Sequence, residues 1–175
     1  MSERPKVIVN VDELELQPRP ELFRPTGDAA ERYDVRSARL GPVTGMKRLG
    51  FNVSAVPPGR SAFPAHAHRV NDELFYVISG TGEARIGDAK HPVRAGDLFA
   101  CPAGGPETAH QLLNTGTEDL VYLAISSTLS PEVVEYPDSG KFGVLALFGD
   151  DPSDMSSWFR YIGRRESAVD YWEGE

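Results

Sequence analysis

The chain has 175 residues, a formal net charge of −8, 17 glycines, 14 prolines and a single cysteine. That length suits one domain with a sizeable core, and the dense glycine and proline punctuation favours short strands and tight turns over long helices. Basic residues scattered through an acidic chain exclude an electrostatic footprint for nucleic acid or an anionic membrane, and Cys101 alone cannot form an intrachain disulfide.

The opening "MSERPKVIVNVDEL" lacks the basic and apolar pattern of a secretory signal. The longest aliphatic or aromatic run, "LVYLAI", is too short to cross a bilayer, so a cytoplasmic location is expected. Residues 1–34 read as an extended arm, with one short strand in "VIVNV" and then the proline-spaced "LQPRPELFRPTGD". "GDAAERY", near residue 30, is the best helix candidate. From Val35 onward, runs rich in β-branched and aromatic residues recur about every ten residues: "DVRSARLG", "LGFNVSAV", "ELFYVIS", "GEARIG", "HPVRAG", "DLFACP", "HQLLN", "DLVYLAIS" and "KFGVLALFG". Nine such strands imply an all-β sandwich or barrel. "SGTGE" and "IGDAKH" are read as hairpin turns, and "PEVVEYPDSGKFGV" and the tail "ESAVDYWEGE" as extended peripheral segments of the same domain. No internal repeat divides the chain.

The chemistry concentrates in "PAHAHRVNDELFYVISG". Alternate residues of a strand share a face, so His66 and His68 stand about 7 Å apart on one side. Imidazoles and carboxylates on an interior face are costly unless something satisfies them, and a divalent cation satisfies several at once. Glu73 is favoured over Asp72 as the carboxylate, because Phe75 and Val77 then share its face while Asp72 falls in the turn. A hairpin is expected to bring Glu73 back opposite the histidines. His110, which opens "HQLLN", is the remaining candidate. Three histidines and one carboxylate suit Fe, Mn, Co, Ni or Zn and leave positions for water or substrate.

"GRSAFPAHAHRVNDELFYVISG" resembles the first motif of the cupin superfamily through Gly59, His66, His68, Glu73 and Gly80. "GDLFACPAGGPETAHQLLN" resembles the second through Gly96, Pro102, Gly104, His110 and Asn114. One extra residue precedes His66 and extra residues separate Gly104 from His110, both in loops. "EYPDSGKFGV" and "DYWEGE" further resemble a bacterial subfamily of small cupins, some of them labelled sugar phosphate isomerases by analogy. The resemblance implies a double-stranded β-helix, or jelly-roll, barrel over about residues 35–128 of a single domain spanning 1–175. It also implies an N-terminal arm (1–34), a C-terminal extension (129–175) and a homodimer in which the arm adds a strand to a neighbour's sheet. The implied ligands of one divalent metal (Zn, Fe, Mn or Ni) are His66, His68, Glu73 and His110.

Other polar residues read as structural. His91 belongs on the surface, Asn114 caps the turn "NTGTED", Tyr76 points away from the core, and Cys101 is a small buried hydrophobe. Arg48, Asn52 and Gln111 are left open as pocket residues. Three activities fit the ligand set: Lewis-acid chemistry on a small oxygen-rich substrate of the sugar phosphate, hydroxy acid or keto acid type, non-haem iron dioxygenation, and non-enzymatic binding of a small molecule or metal. The sequence identifies no general base.

Overall fold

The computed structural model describes residues 5, 6, 8–149 and 155–175. The short helices α1 (Asp28–Arg32) and α2 (Gly41–Thr44) flank the second of thirteen strands among these residues. The strands are β1 (Gln17–Pro18), β2 (Arg36–Arg39), β3 (Leu49–Val56), β4 (Ala67–His68), β5 (Glu73–Ser79), β6 (Thr81–Ile86) and β7 (Ala89–Arg94). They continue with β8 (Leu98–Cys101), β9 (His110–Leu113), β10 (Leu120–Ser127), β11 (Glu132–Tyr136), β12 (Lys141–Leu147) and β13 (Trp158–Arg164).

One wall is a six-stranded sheet in the order β1-β2-β3-β10-β5-β8. The other is built from β13-β12-β11-β4 and β7-β6-β9, which a bridge between His66 and His110 joins through β4 and β9. The named strands all pair antiparallel with their neighbours. This is the jelly-roll barrel, and it follows from alternation. In β5, Phe75 and Val77 turn inward while Tyr76 is exposed, and β10 places Leu120 and Tyr122 beside them. Val56, Ala84, Leu112 and Cys101 complete the core between the walls. Burying a side chain of Leu, Val or Phe size stabilises the fold by about 1.5–3 kcal/mol, so this cluster holds the two walls together.

Several local expectations change. "VIVNV" forms no strand over the described Ile8–Asn10, and Val7 lies outside the described residues; Ile8 is exposed. The arm's strand is β1, whose residues pair with β2 of the same chain. "SGTGE" is no hairpin, because β5 and β6 belong to different walls. The chain crosses between them at Gly80, where φ is +84° and an added Cβ would stand 2.5 Å from the Asp119 carbonyl oxygen. Only glycine fits such a backbone at such an approach. "IGDAKH" does form its hairpin, joining β6 to β7. The extended "PEVVEY" carries β11, which pairs with β4 and β12. No helix among the described residues is long and apolar enough to cross a membrane.

Candidate metal centre

Both walls contribute to one cluster. His66, just before β4, exchanges both backbone hydrogen bonds with His110 at the start of β9, at 3.2 and 2.8 Å. His68 lies in β4 opposite Val134 of β11. Glu73 comes from the other wall, opposite Cys101 of β8 and Ser126 of β10. The barrel's closure therefore faces Glu73 toward the histidines, and the expected hairpin does not form. Asp72 is exposed and accepts a hydrogen bond from the Ala103 N–H at 2.8 Å, outside the cluster.

One potential ligand atom from each of His66, His68, Glu73 and His110 lies within 4.8 Å of all the others. Glu73 Oε2 stands 2.7 Å from His110 Nε2 and 3.5 Å from His68 Nε2. The outward nitrogens explain this orientation. His66 Nδ1 faces the Pro64 carbonyl at 2.9 Å, and His110 Nδ1 faces that of Thr108 at 3.3 Å. A carbonyl only accepts, so each Nδ1 carries a proton and Nε2 is the nitrogen left to serve as a ligand.

His68 Nδ1 is buried without a hydrogen bond, yet it stands 3.5 Å from Glu132 Oε2. Glu132 is itself buried, and its oxygens accept from the N–H groups of Arg69, Val70 and Asn71 at 3.0, 3.2 and 3.0 Å, and from Asn71 Nδ2. With donors on both oxygens it is a carboxylate that can only accept. His68 then has the same tautomer as the other two. Three imidazoles and one carboxylate converge, each imidazole backed by an acceptor, as histidine ligands of a metal ordinarily are. The donor set fits a borderline divalent ion.

Electrostatics agree. Burial, reinforced by His110 and His68, lowers His66 to about 4, so it is neutral at pH 7. Burial opposes charge on His110, but the adjacent Cys101 and the Glu73 carboxylate outweigh it and raise its pKa to about 10. Burial likewise pushes Glu73 up, but the hydrogen bond with His110 and the surrounding imidazoles bring it below the ordinary carboxylate value. Without metal, the cluster holds one proton between His110 and Glu73, where a cation would otherwise sit.

Beside the ligands lies a small pocket that includes Phe63, Phe75, Phe99, Gln111 and Tyr122 in its lining. Asn52 lines a larger cavity next to it. Arg48 lines neither, and of the three open residues Gln111 is nearest the ligands. His91 and Tyr76 face outward, and Cys101 is buried beside His110. Asn114 caps its turn, accepting from the Gly116 N–H at 2.9 Å, and donates from Nδ2 to the carbonyls of Val56 and Glu118, both at 2.7 Å. Sequence reading missed Glu132, although its alternation with the buried Val134 was a signal: a carboxylate on an apolar face needs a reason.

A family model described as a cupin domain matches residues 52–126. The chain carries a cupin domain. The cupin motifs place all four candidate ligands inside the matched residues. An oxalate-binding protein of Thermotoga maritima is 33% identical over 70 residues, which cover 40% of this chain and 54% of that protein. An uncharacterised protein of Methanocaldococcus jannaschii is 31% identical over 72 residues, 41% of this chain and 55% of the relative. The chain thus spans about half the length of the curated relatives it matches. Among solved structures, a sugar phosphate isomerase from a cupin superfamily of Silicibacter pomeroyi aligns with a TM-score of 0.73 at 23% identity, over 92% of this chain and 94% of its own. That likeness supports the cupin fold.

Proposed function

We propose that His66, His68, Glu73 and His110 hold one divalent metal ion, Zn, Fe, Mn or Ni, and that the chain uses it on a small oxygen-rich substrate. The observation that carries this reading is the common orientation of the three imidazoles, each with Nδ1 turned to an acceptor, gathered with Glu73 into one cluster in which the Nε2 atoms of His68 and His110 face its carboxylate. Bound there, the metal would supply Lewis acidity to a substrate oxygen. Glu73 contributes the one negative charge of the set, and Glu132 holds His68 in the binding tautomer.

Phe75 and Phe99 stack at 4.9 Å beside the ligands and keep water from that side. Tyr122 is fully enclosed, and burial raises its pKa, so it is a hydroxyl that donates and does not act as a base. It is the only proton-bearing side chain other than the ligands and Gln111 among the described residues lining this pocket. Proton abstraction from a substrate carbon would therefore need a base from a ligand residue or from the substrate. This favours polarisation of a metal-chelating substrate over chemistry with a dedicated protein base, and the isomerase reading requires a ligand residue or the substrate itself to move the proton. The same lining supports a second reading, a barrel that binds a chelating oxyanion without turning it over. The name of the Thermotoga protein fits the binding reading, and that of the Silicibacter protein fits the enzymatic one.

Metal analysis of protein purified without chelator tests the site. Stoichiometric metal is expected in the native chain, with near-complete loss in His68→Ala. A chain that stays empty after incubation with Fe, Mn, Ni and Zn would defeat the proposal. Turnover across sugar phosphates and hydroxy acids, set against tight binding alone, separates the two readings.

A further inference from the structure

The larger cavity, about 700 Å³, adjoins the pocket at the ligands, and Phe63 lines both. Its lining contains two arginines, Arg19 from β1's end of the arm and Arg39 from β2, with Gln17, Ser37 and Asn52 as neutral polar neighbours. Glu15 is the one carboxylate in that lining.

Arg19 is half-buried and held in place. Its Nη2 donates to the Ala62 carbonyl at 2.7 Å, and its guanidinium lies over the Phe63 ring, 4.7 Å from the centroid. Among the described residues no carboxylate comes within 4.0 Å of it; Asp34 is near enough to act on its charge but forms no ion pair. A guanidinium offers five N–H donors in a fixed fork, and only Nη2 is engaged by a side-chain hydrogen bond here. Half-burial strips part of the hydration from this cation with no ion pair to replace it, and burial does lower the pKa of Arg19.

Its distance from the ligands sets the size of that partner. The Phe63 and His66 rings are 6.3 Å apart edge to face. With the 4.7 Å leg to Arg19, the guanidinium lies no more than 11.0 Å from the His66 ring. One small molecule can reach both ends.

We propose that Arg19 is the anion-binding residue of this cavity and that the substrate is a small anion spanning it. An oxygen-bearing head would face the metal cluster, and a phosphate or carboxylate at the far end would sit in the Arg19 fork, with Arg39 at the rim. The planar fork matches either oxyanion with two parallel hydrogen bonds. The Phe63 ring beneath the guanidinium fixes its plane, so little freedom is lost on binding. This assignment rests on the metal reading above, because it is the metal end that orients the molecule.

The test uses the full chain loaded with Zn and titrated calorimetrically with four compounds. Oxalate is short enough to use the metal alone. Glycerate offers a metal-binding head without an anionic tail, 3-phosphoglycerate adds a phosphate tail, and malate places a carboxylate there. The native protein is expected to bind 3-phosphoglycerate or malate at least tenfold more tightly than glycerate, and the tighter of the two identifies the tail. Arg19→Met is expected to remove that advantage while leaving oxalate affinity unchanged, and Arg19→Lys to restore part of it. Unchanged oxalate binding also shows that the variant is folded and loaded. Equal affinity of the native protein for glycerate and both tailed compounds would overturn the proposal without any variant, as would tailed compounds that bind Arg19→Met as well as they bind the native chain. Failure of the native chain to take up Zn would sink the metal reading instead, which sets the two failures apart.

Discussion

Glu132→Gln removes one charge from a residue that no motif points to, and the structure assigns it two jobs. Each oxygen of the carboxylate accepts two N–H donors from the segment Arg69–Asn71, and Oε2 also faces His68 Nδ1. Whichever oxygen becomes an amide nitrogen, two acceptor positions turn into a donor facing donors. Hydrogen bonds to a charged group contribute about 1.5–3 kcal/mol each, so the loss is at least about 3 kcal/mol. For a chain of this length that is roughly a 6–12 °C fall in Tm. The second job concerns His68, since without a carboxylate behind Nδ1 its tautomer and ring plane are free to change. Removing such a partner of a metal-ligating histidine typically costs about 10–100-fold in metal affinity. Thermal melting of the metal-free protein reads the first effect, and competition of Zn against a chelating dye reads the second. Asn71→Ala serves as the control, because it removes one donor to Glu132 but leaves the charge facing His68. It should lower Tm with a much smaller change in Zn affinity. If Glu132→Gln melts within about 1 kcal/mol of the native chain and binds Zn within threefold, the reasoning about Glu132 is wrong.

The same cluster makes the metal-free protein sensitive to pH on both sides of neutrality. His110 is raised from 6.5 to about 10, so its contribution is fully present below pH 6.5 and is lost as pH climbs toward 10. His66 is lowered to about 4; the unfolded chain takes up that proton first, and stability falls as pH drops from 6.5 toward 4. Tm of the metal-free chain should therefore peak near neutral pH, and a Tm rising steadily from pH 5 to 9 would contradict this. Zn loading at pH 7 should displace the His110 proton, releasing about one proton per site; calorimetry in buffers of different ionisation enthalpy counts it, and a count of zero would refute the assignment. Asn114→Ala breaks three hydrogen bonds at a side chain with no exposed surface, for a loss of about 3 kcal/mol. Chemical denaturation would show it, and a loss under 1 kcal/mol would mean that water replaces the amide.

Period-two alternation and turn chemistry are local, and they carried a great deal. The strands β2, β3, β5 to β10 and β12 stand where the runs of β-branched and aromatic residues lie, and α1 stands where "GDAAERY" indicated. Alternation also separated Glu73 from Asp72, because a strand's facing is written into its own residues. What alternation cannot contain is the partner across the sheet. β4 is two residues long, and it exists because β11, more than sixty positions later, pairs with it. "SGTGE" has the residues of a hairpin, yet the chain changes walls at Gly80 because the Asp119 backbone packs against it. "VIVNV" has the composition of a strand, yet its described residues 8–11 form none.

The candidate site divides the same way. His66, His68, Glu73 and His110 were legible because imidazoles and a carboxylate on inward-facing positions are costly alone and need one another. Glu132 and Arg19 were not, since each matters only through a residue it meets in space: His68 Nδ1 in one case, the Phe63 ring and the Ala62 carbonyl in the other. The sequence by itself determined nine of the thirteen strands among the described residues, their inward faces and the four polar residues of the candidate site. Only the tertiary structure decided which wall each strand joined, how the three imidazoles were turned, and what stood behind them, because those depend on contacts between segments that local patterning leaves independent.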